Sequence, residues 1–110
     1  MKEISCNKLV RDRIPEIIRE NDDECDCQIM NDDEFRKMLK EKLVEEAVEL
    51  VKANSKKKMV NELADISEII ETILDSEQIT AQEVETKKKE KKEERGGFEK
   101  KIKLISTKEK

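Results

Sequence analysis

Glu45, Glu46 and Glu49, then twelve intervening residues, then Glu62 and Asp65 are the side chains of this sequence whose types and spacing suit chemistry best. Histidine is absent, which removes Ser-His-Asp and Cys-His nucleophile systems and histidine metal sites. Carboxylates are then the plentiful source of a general base or of hard ligands. Glu46/Glu49 and Glu62/Asp65 are each i, i+3 pairs, and residues three apart on a helix stand one turn apart on a single face. Two such pairs on antiparallel neighbouring helices converge on one point, offering oxygen ligands that suit Mg²⁺ or Mn²⁺ rather than zinc.

These acids sit where aliphatic residues belong. At about 100° per residue, Phe35, Leu39, Leu43 and Leu50 fall within an arc of about 80°, with Glu46 inside it and Glu49 and Glu45 on its flank. Met59, Leu63, Ile66, Ile69, Ile70, Ile73 and Leu74 share an arc of about 140°, with Glu62 between Ile69 and Ile73 and Asp65 at the edge. An ionised carboxylate taken from water without a partner costs several kcal/mol, as an order of magnitude, and four together also repel one another. Something positive must compensate. Lys42, Lys52 and Lys56 to Lys58 project mostly from other sectors or from the loop, so a divalent cation fits better than ion pairing. The competing reading is an acidic face in solvent.

The elements that carry these residues are predominantly helical. "NDDEF" is a helix start, with Asn31 or Asp32 as cap and acids in the first turn. Helix-forming sequence then runs to about Ala53, Asn54-Ser55 breaks it, and a second helix spans about Lys56 to Asp75. So short a connection makes the two antiparallel neighbours. Upstream, "RDRIPEIIREND" predicts a short helix capped by Asp12 with Pro15 in its first turn. Downstream, the segment from Thr80 to about Glu94 is polar all round and reads as a solvated helix or a partly disordered one, its Lys87 to Lys92 run reading as a solvated face. "KEISCNKLV", the alternating "CDCQI" and, after Gly96-Gly97, "FEKKIKLI" are compatible with short strands.

Composition sets limits on all of this. The 110 residues read as one small domain, 1–110, with no internal repeat or dividing linker. Charged residues make up 47% of the chain and hydrophobic ones 35%, with Phe35 and Phe98 the only aromatics, so a monomer buries little apolar surface and self-association is expected. A net charge of -4 gives no general attraction to nucleic acid or to an anionic membrane. No apolar run approaches the length of a membrane span, and no signal segment is evident, so a cytoplasmic protein of bacterial type is expected. Cys6, Cys25 and Cys27 do not match a structural zinc spacing and are expected to be reduced thiols in small apolar sites.

Glu45-Glu46-x-x-Glu49 followed by Glu62-x-x-Asp65 resembles the EExxE...ExxD signature of the MazG-like, all-α nucleoside triphosphate pyrophosphohydrolases, the superfamily that includes dimeric dUTPases and phosphoribosyl-ATP pyrophosphohydrolase. "NKLVRDRIPEII" and "RGGFEKKIKL" are similar to flanking motifs of its small phosphoribosyl-ATP-pyrophosphohydrolase-like branch, so the resemblance covers nearly the whole chain. It implies a mainly α fold in which the central hairpin completes a four-helix bundle by oligomerisation, as dimer or tetramer, with short peripheral strands from the N-terminal region and C-terminus. It implies Glu46, Glu49, Glu62 and Asp65 as ligands of Mg²⁺, with Mn²⁺ as a substitute. Glu45 would serve as base for the attacking water or as ligand of a second ion. The implied reaction is hydrolysis of the α-β phosphoanhydride of a nucleotide, giving a monophosphate and pyrophosphate. Lys8, Arg11 and Arg95, in the flanking motifs, would hold the phosphates. Two of them have a plainer reading: Arg11 as an ion pair with Asp12 or Glu16, and Arg95 as a solvated residue before a turn.

Three functions are therefore compatible with the sequence: a nucleotide pyrophosphohydrolase, a nucleotide-binding regulator that turns over poorly, and a helical interaction module whose acids pair with a basic partner.

Overall fold

In a computed structural model, which describes residues 6–110, four helices follow one another: α1 (Ile14–Glu20), α2 (Asp32–Lys52), α3 (Lys56–Ser76) and α4 (Ala81–Arg95). Their starts are written locally. Asn31 accepts the Glu34 amide at 2.9 Å and Ser55 accepts the Lys58 amide at 3.2 Å, each supplying one of the donors' missing partners in a first turn. Thr80 and Glu83 form a reciprocal box, Thr80 Oγ1 accepting from the Glu83 amide at 3.1 Å and Glu83 Oε2 from the Thr80 amide at 2.7 Å. That backbone bond, aided by the Thr80 hydroxyl, lowers the Glu83 pKa.

Helix α1 departs from expectation at its cap. Pro15 is in the first turn as predicted, but the capping position is Arg13, with no side-chain hydrogen bond, and not Asp12. Proline's fixed φ favours the first turn without help from a cap. The helix ends where Asp22 takes a φ of 62°, tolerable for an aspartate, and the Asp23 amide turns back to the Ile18 carbonyl at 3.2 Å.

The chain divides into two compact units, Met1–Gln78 and Ile79–Lys110. In the first, α2 and α3 pack against each other as a hairpin closed by Ala53–Ser55. Arg36, near the start of α2, reaches the end of α3, donating to the Ser76 carbonyl at 3.4 Å and lying 3.9 Å from Glu77. This fixes the antiparallel direction and gives a C-terminal carbonyl of α3 a cationic partner. Leu39, 2% exposed, and Ile69 are the buried hydrophobic residues among those described. Phe35, Leu43, Leu50, Ile66, Ile73 and Leu74 are half-buried, whereas Met59, Leu63 and Ile70 of the same stripes are exposed. A hairpin has only one internal face, so part of each stripe finds no cover within this unit.

The second unit holds α4, exposed along its whole length, and a terminal segment without regular structure. Gly96, with φ 80°, closes α4 in a conformation that glycine adopts without strain, its amide returning to the Lys92 carbonyl at 2.8 Å.

The predicted peripheral strands do not form among the described residues. Residues 2–5 of the first lie outside that range; the rest of it, "CDCQI" and the C-terminal "FEKKIKLI" are irregular. Alternation makes a strand only where a ladder partner and a buried face exist. Here Ile29 is fully exposed, as are most of Ile102 and Leu104. The cysteines also depart from the expected small apolar sites: Cys6 and Cys27 are exposed and only Cys25 is half-buried. No helix of the described residues is long and apolar enough to cross a membrane.

Candidate metal centre on the central hairpin

Helix pairing brings Glu46 of α2 against Glu62 and Asp65 of α3. One carboxylate oxygen from each lies within 4.8 Å of the others. All three are half-buried, Glu46 with 12% and Asp65 with 31% of its side chain exposed. Glu49 lies outside this trio and is exposed, one turn further along α2. Glu45 is exposed on the flank of the helix.

Crowding of acids changes their protonation. A hydrogen bond with Glu62 is the leading cause that raises the Glu46 pKa to about 7, followed by burial and by the charges of Asp65 and Glu62, with Lys42 acting in the opposite sense. Two ionised carboxylates cannot hydrogen-bond, so that interaction requires a proton on one of them. Glu62 Oε2 is buried without a hydrogen-bond partner, which is costly for an ionised oxygen. The trio thus wants positive charge, from a proton or a cation. Oxygen donors at this spacing, one of them unsatisfied, fit a hard divalent ion.

Two cationic side chains meet the cluster. Lys42 Nζ lies 3.4 Å from Glu45 Oε1 and 3.8 Å from Glu46 Oε1, correcting the placement of this lysine in another sector of the helix. The signal was its i, i+4 spacing to Glu46, which ammonium and carboxylate side chains readily span. Arg11 Nη2 donates to Asp65 Oδ1 at 2.7 Å, across 54 positions of sequence. Its pKa is raised by that bond first, opposed by burial, and further by the charges of Asp65, Glu68 and Glu46. Neither Asp12 nor Glu16 is its partner; Glu16 instead pairs with Arg13 at 3.1 Å.

Lys8 reaches the flank of the same region. With Asn7 and Leu9 it lines a small cleft against Met38, Glu41, Lys42 and Glu45 of α2. The N-terminal motif therefore lies across the hairpin, Lys8 toward α2 and Arg11 on α3. Arg95, the last residue of α4, is exposed in the second unit. Arg11 could not be joined to Asp65 from motif spacing alone, because that contact depends on how the N-terminal segment folds back.

No protein-family model, curated protein or solved structure matches this chain.

Proposed function

We propose that this protein is a Mg²⁺-dependent nucleotide pyrophosphohydrolase, cleaving the α-β phosphoanhydride of a nucleoside triphosphate or related nucleotide to monophosphate and pyrophosphate. The observation that carries the reading is the meeting of Glu46, Glu62 and Asp65 within 4.8 Å on a half-buried face, joined to the resemblance of the EExxE...ExxD spacing and its flanking motifs to the MazG-like superfamily. Those three residues would hold the cation, with Glu49 one turn away as a further ligand. A bound divalent ion neutralises phosphate charge and lowers the pKa of its water.

The protein's own side chains account for the rest. Glu45, exposed beside Lys42, is suited to accept a proton from an attacking water. Lys8, Arg11 and Lys42 supply donors for phosphate oxygens around the carboxylate cluster of the hairpin. Self-association into a dimer or tetramer, completing a four-helix bundle, is supported by the apolar residues exposed along the hairpin, among them Val44, Val48, Met59, Leu63 and Ile70.

The test is pyrophosphate release from a panel of nucleoside triphosphates with Mg²⁺. Turnover that disappears in Glu46→Gln and Glu62→Gln supports the enzyme. Tight nucleotide binding without turnover selects the regulatory protein. A melting temperature unmoved by Mg²⁺, with nucleotide present, selects the interaction module.

A further inference from the structure

The Arg11–Asp65 pair has features that neither a plain surface ion pair nor a dedicated phosphate donor requires. Its acceptor is a member of the carboxylate trio, and the contact is short and charge-assisted at 2.7 Å. It uses a single guanidinium nitrogen, although a fork of five N–H groups is available. The Arg11 side chain is 61% exposed. What holds it is first the hydrogen bond to Asp65, with the charges of Asp65, Glu68 and Glu46 adding to the attraction.

We propose that Arg11 is the exchangeable counter-cation of this cluster: it competes with a divalent cation for Asp65, and a cation that takes Glu46, Glu62 and Asp65 frees the guanidinium for a phosphate oxygen. The inference rests on the function proposed above and adds a coupling between loading of the cluster and the position of the N-terminal motif. The physical basis is Coulombic. A doubly charged ion among the three acids cancels the potential that attracts Arg11 and repels the guanidinium a few ångströms away. A polyphosphate held by that ion then presents the nearest anionic oxygens, and a bidentate fork suits them. Arg11 is thus a positioning residue for Asp65 in one arrangement and a substrate contact in the other.

The experiment measures Mn²⁺ affinity of the nucleotide-free protein by calorimetry in wild type, Arg11→Gln and Arg11→Lys, with Arg13→Gln as a control for loss of a nearby arginine. The expected result is binding about fivefold to tenfold tighter in Arg11→Gln at low salt, with the gap narrowing as salt is raised, and near wild-type binding in Arg11→Lys. Affinity for the Mn²⁺-nucleotide complex falls in Arg11→Gln. Unchanged or weaker Mn²⁺ binding in Arg11→Gln overturns the proposal, because a residue that only oriented Asp65, or only met phosphate, gives those outcomes. A second measurement uses the wild-type chain alone, so it survives any folding defect of the variant. Saturating Mg²⁺ is expected to lower the NMR order parameter of the Arg11 Nε–H bond; an unchanged or higher value counts against exchange. If wild type binds no Mn²⁺, or Glu62→Gln binds it equally well, the metal reading of the cluster fails and this proposal with it. Normal carboxylate-dependent binding without the Arg11 effects removes this proposal alone.

Discussion

Lys42 stands one helical turn before Glu46, with its ammonium 3.8 Å from a carboxylate oxygen that two other acids crowd. Its charge partly offsets theirs, acting to lower a Glu46 pKa that Glu62 and burial raise to about 7. Lys42→Met removes that offset while keeping much of the side-chain volume. The Glu46 carboxyl is then expected to titrate above its wild-type value, as followed by carbon NMR of labelled glutamate side chains. An unshifted titration would show that the lysine is held by Glu45 alone.

The raised Glu46 pKa has a thermodynamic consequence. Glu46 ionises near pH 4.5 in the unfolded chain and near pH 7 in the folded one, so between those values the native state binds more protons. Cation-free stability therefore falls as pH rises through this window and levels off above it. Glu46→Gln keeps a neutral amide there, so its stability should depend less on pH and exceed wild type at pH 8 by about 1 to 3 kcal/mol. Mg²⁺ acts in the opposite sense, favouring the ionised acids, and should raise the melting temperature more at pH 8 than at pH 5. Denaturant titrations across pH, with and without Mg²⁺, check both.

Burial separates two kinds of apolar residue on the hairpin. Leu39, 2% exposed, loses neighbours on every side when truncated, and Leu39→Ala should cost about 2 to 5 kcal/mol. Val48 and Leu63 are exposed in the single chain. If they are covered by a second copy, Val48→Glu with Leu63→Glu lowers the sedimenting mass to that of one chain while leaving helix content intact. A wild-type chain that already sediments as a monomer rules out that use of the surface.

The Thr80–Glu83 box gives α4 its start, though the helix has no buried residue to hold it. Thr80→Ala should therefore cost about 1 kcal/mol and fray the first turn of α4, detectable as faster amide exchange there and lost helical ellipticity. Because Glu83's pKa is lowered by Thr80, its contribution is present above the ordinary carboxylate range. It is lost as pH falls through the depressed folded value, in wild type and in Thr80→Ala alike, because the backbone amide that supplies most of it is kept.

The hairpin was legible in the sequence because its cues are short-range. Asn31, Ser55 and Thr80 each satisfy an amide three residues ahead, and the apolar stripes repeat at helical spacing. The position of Glu46 within its stripe also forecast the half-buried acid beside Glu62. The strands were not legible: alternation around Cys25 and Ile102 states what a strand would bury, not whether a neighbouring strand arrives.

By itself the amino-acid order determined where α2, α3 and α4 start and break and that Glu46 and Glu62 interrupt apolar stripes, since backbone hydrogen bonds, caps and helical periodicity act over three or four positions. Only the tertiary structure decided that Arg11 meets Asp65 and that Asp65 joins the Glu46–Glu62 pair while Glu49 remains exposed. Those relations depend on the crossing of two helices and the path of a segment 54 positions away, and Coulomb attraction selects among partners only after chain folding has brought them within reach.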